Sequence, residues 1–145
     1  MLTRLDRKIQ LFEPGAMATV AYTVINADHT TLSMSSAGHL PPLSVDTDRA
    51  ASVLAVPVDL PVGAYPGAPR RAVTLPVSPG SALLFYTDGL IESRGRSVVE
   101  SIEELRCLVR TTDPYQLCAD AIDGMFGERI ASDDVALLAL RRRPS

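Results

Sequence analysis

The chain has 145 residues, of which 46% are hydrophobic and 21% charged, a composition typical of a globular protein rather than a disordered one. A net charge of −3 excludes the basic surface of a nucleic-acid-binding protein. The sequence lacks the run of ~18 apolar residues that a membrane span needs, and charges near the start do not fit a signal peptide. Two cysteines are no disulfide framework. We therefore expect a cytoplasmic protein, without membrane or nucleic-acid partners, that folds as a single domain over residues 1–145.

The first half of the chain is predicted to form one helix followed by strands. Leu2, Leu5, Ile9 and Phe12 recur at helical spacing, and Pro14 ends that helix. The segment 17–26 is apolar on both faces, which predicts a buried strand. Further strands are predicted over 31–36, 43–45, 52–56 and 71–77, with a proline-rich loop over 57–69.

The second half is predicted to contain a strand, two helices and a last strand. Residues 82–87 are apolar on both faces and predict a central strand. Ser101 and Glu104 fit a capping box at the start of one helix. Asp113 before Pro114 predicts the start of a second helix, which runs to Phe126 and Gly127. Residues 135–140 predict a last buried strand. Strands grouped in hairpins indicate an antiparallel α+β fold.

Two segments with aspartate are the main candidates for chemistry. Asp88 ends an apolar strand, where a buried charge is costly without a partner, and Gly89 after it lets the backbone turn sharply. Asp133 and Asp134 open the last predicted strand. If the two strands are antiparallel neighbours, these carboxylates share one sheet edge. Since successive strand side chains point to opposite faces, only one of Asp133 and Asp134 can easily face the same ion as Asp88.

Carboxylates that converge at a sheet edge suit a hard cation such as Mg²⁺ or Mn²⁺. The competing interpretation is that each aspartate only forms a turn or caps a helix, and the residues alone leave both interpretations open.

His39 lies between Gly38 and two prolines. We interpret His39 as a structural histidine that bonds to the loop backbone, with a general acid as the alternative. The sequence contains no nucleophile elbow, P-loop, dinucleotide fingerprint or zinc-like spacing.

Five segments resemble, in order, the PPM-type metal-dependent serine/threonine phosphatases of the SpoIIE and RsbU branch. FYTDGLIES at 85–93 and SDDVALLAL at 132–140 resemble the two C-terminal signatures of that family. ATVAYTVIN at 18–26 resembles the strand after its long helix. SSAGHLPPL at 35–43 and LPVGAY at 60–65 resemble two further family segments. The resemblance covers nearly the whole chain, as the C-terminal two-thirds of such a phosphatase domain.

The resemblance implies a fold, a reaction and roles for particular residues. The fold would be an α-β-β-α sandwich of antiparallel sheets. Two Mn²⁺ or Mg²⁺ ions would activate a water that hydrolyses phosphoserine or phosphothreonine. Asp88 and Asp133 match the family's metal-binding aspartates, and no other catalytic residue is implied. Asp134 matches a supporting position, and we add Gly89 and His39 as supporting residues. The substrate would be a phosphorylated protein, with a small anti-sigma-factor antagonist as the usual class.

The N-terminal motifs of the family have no counterpart in this sequence. Those motifs supply an aspartate that bridges both metals and a glycine carbonyl ligand, and Met1 matches a position inside the long helix. The resemblance therefore implies a domain incomplete at its N-terminus. We expect it to hold at most one weakly bound ion, to be a poor phosphatase alone and to be able to self-associate through uncovered strands. The alternatives are a catalytically inactive remnant that acts as a protein-interaction module, and an unselected fragment.

Overall fold

The computed structural model describes residues 1–48, 50–92, 95–127 and 133–144. The helices in these ranges are α1 (Leu2–Phe12), α2 (Asp88–Ile91), α3 (Val98–Leu108) and α4 (Pro114–Phe126). The strands are β1 (Val20–Ile25), β2 (Thr31–Ala37), β3 (Leu43–Val45), β4 (Ala51–Val53), β5 (Val58–Asp59), β6 (Val73–Pro76), β7 (Ala82–Tyr86) and β8 (Leu137–Arg141). No helix in the part of the chain described is long and apolar enough to cross a membrane.

The chain divides into two compact units, each built from two stretches of sequence. Unit 1 comprises Met1–Pro41 and Ala55–Val77, and unit 2 comprises Pro42–Leu54 and Ser78–Ser145. Each unit contains one four-stranded sheet. The single domain over 1–145 stays a prediction.

The sheet of unit 1 is centred on β2. β2 pairs with β1 and β6 in the antiparallel sense, which confirms the predicted hairpin from residues 17–26 to 31–36. It also pairs with β5 in parallel, over Ser36–Val58 and Ala37–Asp59. We missed β5, because it is two residues long and lies inside the proline-rich segment that predicted a loop. Within the described residues, the sheets are therefore antiparallel except at the pairing of β2 with β5.

The prediction that β1 is buried on both faces is wrong. β1 is an edge strand of its sheet, and Tyr22, Val24 and Ile25 are exposed. Its buried neighbours are on β2, where Leu32 and Met34 are each 1% exposed. A strand that is apolar on both faces can be buried on both faces. Because β1 lies at the edge of its sheet, however, several of its side chains stay in contact with solvent.

Helix α1 packs against the sheet of unit 1 through a small apolar cluster. Leu2 lies with Ala37 and Val62 in this cluster, and Leu5 and Ile9 pack against it. The predicted helical spacing of these residues is therefore confirmed, while Phe12 at the end of the helix is exposed. Asp6 on the same helix is only 3% exposed, which the pattern did not predict.

The sheet of unit 2 has the strand order β4-β3-β7-β8, and all of its pairings are antiparallel. β7 lies between two neighbours, and Leu84 and Tyr86 are buried, so the predicted central strand is confirmed. β8 was predicted to be buried and is not, because it lies at the sheet edge and Leu138 is 55% exposed. β8 also begins at Leu137, later than predicted.

The start of helix α3 differs from the prediction. The capping box is formed by Ser97 and Glu100, with the Ser97 side chain accepting from the Glu100 N–H, rather than by Ser101 and Glu104. Ser101 lies one turn later and is 1% exposed. Helix α4 begins with Asp113 as its N-cap, whose carboxylate accepts from the N–H of Gln116, and this confirms the prediction there.

Candidate functional site

The site is built where β7 ends and helix α2 begins. Tyr86 is the last residue of β7, and Asp88 is the first residue of α2. The Asp88 carboxylate accepts a 3.0 Å hydrogen bond from the N–H of Gly89. Asp88 itself is exposed, while Gly89 is buried. The strand-to-helix turn therefore presents an oriented carboxylate at the surface of unit 2.

The second part of the site precedes β8. The Asp133 carboxylate accepts a 2.7 Å hydrogen bond from the N–H of Asp134. Tyr86 of β7 is paired with Leu137 of β8, so the two strands are antiparallel neighbours as predicted. The end of β7 therefore meets the segment that leads into β8. Asp88, Asp133 and Asp134 lie at this one edge of the sheet, while Ser132 is outside the described residues.

Thr87 connects the two parts of the site. Its N–H donates to the carbonyl oxygen of Ala136 over 3.1 Å, which continues the ladder between β7 and β8 by one residue. Its hydroxyl accepts from the N–H of Ala136 over 2.9 Å. The same hydroxyl lies 3.3 Å from the carbonyl oxygen of Asp134 and donates to it.

Gly89, just after the end of β7, lies close to the backbone of Asp134, just before β8. A Cβ placed on Gly89 would lie 2.3 Å from the carbonyl oxygen of Asp134, a distance that real Cβ atoms essentially never show. The obstacle is backbone, which cannot rotate away as a side chain can. Gly89 is therefore required for the close approach of the Asp134 segment. It lies within α2 and has no positive φ, so the sharp turn that the sequence predicted for it is not observed.

These residues fit the donor chemistry of a hard cation. Carboxylate oxygens are the ligands that Mg²⁺ prefers, and this ion is commonly held by one or two carboxylates while it keeps several waters. Asp88 and Asp133 would be the residues that hold it. Within residues 1–48, 50–92, 95–127 and 133–144 no three His, Cys, Asp or Glu side chains are grouped to hold a metal ion.

His39 lies in unit 1, in the loop after β2. Its Nδ1 is 3.0 Å from the carbonyl oxygen of Leu40. Its own carbonyl oxygen accepts a 2.9 Å hydrogen bond from the hydroxyl of Ser36. These bonds fit the structural role predicted for His39, which stays a prediction. Gly38 before it has a φ of +71°, which favours glycine and explains the tight turn.

Sequence reasoning missed Thr87 as a residue of the site. The signal that could have found it is a hydroxyl directly after an apolar strand and directly before Asp88, at the place where the neighbouring strand begins. Side-chain hydroxyls commonly bond to backbone groups at such ends. Recognising the partner, however, requires knowing which segment is adjacent to β7.

Comparison with known proteins decides the family. A family model described as Stage II sporulation protein E (SpoIIE) matches residues 1–143. The chain belongs to the SpoIIE family. The resemblance seen in the sequence is therefore confirmed over almost the full length of this SpoIIE-family chain.

Solved structures of other proteins agree with this family. The RsbU and RsbW domains of Rv1364c from Mycobacterium tuberculosis are 31% identical, with a TM-score of 0.82 over 99% of the SpoIIE-family chain and 42% of that protein's chain. The phosphatase domain of SpoIIE from Bacillus subtilis, presoaked with Mn, is 14% identical, with a TM-score of 0.73 over 99% of this chain and 65% of that one.

A third similar structure is that of a PPM Ser-Thr phosphatase. The PPM Ser-Thr phosphatase MsPP from Mycobacterium smegmatis, solved in complex with cacodylate, is 10% identical, with a TM-score of 0.69 over 97% of this chain and 70% of that one. These similarities confirm the predicted α+β, PPM-phosphatase-like fold. The SpoIIE-family chain spans less than two-thirds of the first two matched chains, at 42% and 65% of their length.

Proposed function

We propose that this chain contributes the Asp88–Asp133 edge of a metal-dependent protein phosphatase that hydrolyses phosphoserine or phosphothreonine. The observation that carries the proposal is the antiparallel pairing of β7 and β8, which brings Asp88 and Asp133 to one sheet edge in a SpoIIE-family fold. The relatives of this chain are phosphatase domains, which supports the same reaction.

The residues of the edge have distinct roles in this proposal. Asp88 and Asp133 hold a Mn²⁺ or Mg²⁺ ion, and their orientation is maintained by the N–H bonds of Gly89 and Asp134. A bound metal ion of this kind supplies a hydroxide at neutral pH and offsets charge on phosphoryl oxygens. Gly89 and Asp134 act as supporting residues at the edge, and His39 maintains the loop of unit 1.

The substrate is proposed to be a phosphorylated protein in partner-switching signalling and stress response, such as an anti-sigma-factor antagonist, in the cytoplasm. This proposal is supported by the similarity to the RsbU domain solved with an RsbW domain in one protein. Self-association through uncovered strands stays a prediction. We propose β1 as the strand involved, because it is an edge strand with exposed apolar side chains.

The test is hydrolysis of a phosphoserine peptide by the chain in the presence of Mn²⁺, with Asp88→Asn and Asp133→Asn as matched variants. We expect slow turnover that both variants abolish, because two carboxylates hold an ion weakly. Turnover that both variants retain would contradict the site. Binding of a phosphorylated partner with no turnover at any Mn²⁺ concentration would instead support the non-catalytic interaction module.

A further inference from the structure

The hydroxyl of Thr87 makes more bonds to the segment before β8 than continuation of the sheet requires. The backbone N–H of Thr87 already extends the ladder to Ala136. The hydroxyl adds one bond from the Ala136 N–H at 2.9 Å and one to the Asp134 carbonyl oxygen at 3.3 Å. Thr87 thus bonds to residues on both sides of Val135, although Leu137 is the first residue of β8.

The carbonyl group of Asp134 is held from two directions. The Thr87 hydroxyl donates to its oxygen, and the Cα of Gly89, which has no side chain, lies against the same oxygen. The N–H of Asp134 in turn donates to the Asp133 carboxylate at 2.7 Å. A continuous set of contacts therefore runs from Thr87 through the backbone of Asp134 to the carboxylate of Asp133.

Thr87 also precedes Asp88 directly, so the backbone position of Thr87 determines where the backbone of Asp88, and with it the Asp88 carboxylate, lies. The Asp88 carboxylate is oriented by the N–H of Gly89, the residue that contacts Asp134. We propose that Thr87 is a positioning residue that sets the separation of the Asp88 and Asp133 carboxylates through its hydroxyl. The positioning of the two carboxylates does not depend on the proposed function. Only its consequence, that cation affinity depends on the Thr87 hydroxyl, rests on that function.

A purely local role is the alternative. A threonine at a strand end can satisfy a single backbone N–H and have no effect further along the chain. Loss of the hydroxyl would then remove the hydrogen bond of the Ala136 N–H and speed amide exchange at that position only. If Thr87 positions the site, the loss must also loosen the N–H groups of Gly89 and Asp134, which bond to the two carboxylates.

The experiment compares Thr87→Val with Thr87→Ser in the metal-free chain. Valine keeps the branched shape and loses the hydroxyl, whereas serine keeps the hydroxyl and loses the methyl group. Amide exchange is measured by NMR at Ala136, Asp134 and Gly89. We expect the valine variant to exchange about tenfold faster at all three and the serine variant to stay close to wild type. Faster exchange at Ala136 alone would overturn the proposal.

A Mn²⁺ titration by calorimetry is the second measurement. Residues that orient metal ligands typically change affinity by about 10–100-fold when they are lost. We expect a weakening in this range for Thr87→Val and recovery with Thr87→Ser. Equal affinity of wild type and Thr87→Val overturns the proposal. Wild-type protein that binds no Mn²⁺ contradicts the proposed function, while the exchange data still decide whether Thr87 positions the two aspartates.

Discussion

The Asp6 carboxylate and the Arg70 guanidinium form a buried ion pair that joins helix α1 to the segment after β5 in unit 1. The two side chains are 4% and 6% exposed, and their closest atoms are 2.5 Å apart. The other Asp6 oxygen accepts from the N–H of Gly63 at 2.8 Å. Arg70 also donates to the carbonyl oxygens of Leu60 and Pro61. The bonds of Asp6 therefore secure Gly63 and Arg70 to α1, and the bonds of Arg70 to Leu60 and Pro61 hold the two ends of the proline-rich segment together.

We expect Arg70→Met to destabilise the protein by about 3–5 kcal/mol, because it leaves the Asp6 carboxylate buried without its charged partner. Urea unfolding measures this change. Arg96→Met is the matched control, since the Arg96–Glu104 pair is exposed and such pairs contribute little. Similar losses for the two variants would show that the Asp6–Arg70 pair has no special importance.

The second buried carboxylate, Asp59, predicts how stability depends on pH. Burial raises the pKa of Asp59, but the N–H bonds and charge of Arg71 outweigh burial and hold this pKa below its usual value. A carboxyl whose pKa is lowered by folding stabilises the protein above its unfolded pKa of about 3.9, and this stability is lost as pH falls through the folded value. We expect Asp59→Asn to lower the melting temperature at pH 7 and to reduce its decline below pH 4. An unchanged acid decline in the variant would contradict the assignment.

Asp133 and Asp134 should differ in their effect on cation binding. Asp133→Asn is expected to abolish Mn²⁺ binding, because it removes a ligand charge, whereas Asp134→Asn is expected only to weaken it. Both variants keep a side-chain oxygen, so the hydrogen bond from the Asp134 N–H to residue 133 can persist. Calorimetric titration decides the matter, and equal losses would remove the distinction between ligand and supporting residue.

Gly89→Ala should lower both thermal stability and Mn²⁺ affinity, since the added Cβ would meet the backbone of Asp134 at 2.3 Å. Gly124→Ala in helix α4 is the control. The atoms nearest to its Cβ would belong to the Leu108 side chain, at 2.7–3.1 Å, and a side chain can shift where backbone cannot. Alanine also favours a helix by about 1 kcal/mol over glycine. Melting curves and the Mn²⁺ titration measure both variants. If Gly124→Ala lost as much Mn²⁺ affinity as Gly89→Ala, the contact between Gly89 and the backbone of Asp134 would not explain the loss.

His39→Gln should change thermal stability more than any rate of phosphate hydrolysis. The ring nitrogen of His39 bonds to the carbonyl oxygen of Leu40, and loss of one such bond typically costs about 1 kcal/mol. Thermal melting and phosphopeptide hydrolysis are measured on the same sample. A collapse of turnover with unchanged melting would assign His39 to catalysis instead.

Local patterns predicted those parts of the fold that depend on local chemistry. The Asp113–Pro114 start of α4 and the buried strand β7 are examples, because a helix cap and an apolar run act within a few residues. The capping box was misplaced because Ser97 and Ser101 each precede a glutamate by three positions. Only the packing of α3, which buries Ser101, distinguishes them.

The contacts that were missed join residues far apart in the sequence. Asp6 lies on a helix that was predicted only from the spacing of its apolar residues, and its partner Arg70 is 64 positions away. The edge shared by Asp88 and Asp133 was predicted because each stands beside an apolar strand, so one assumption about strand pairing was enough. The bonds of Thr87 required the exact register of β7 and β8, which periodicity does not determine.

The interleaved order of the two units has a consequence for synthesis. The β1–β2 hairpin of unit 1 involves neighbouring residues and can pair as soon as it leaves the ribosome. The β3–β4 hairpin emerges next, but its partner strand β7 is translated only after the remaining segment of unit 1. β3 must therefore wait, with one edge unpaired, while the ribosome reads about thirty more codons. For the same reason, cutting the gene at any one place cannot yield two fragments that each encode a complete unit.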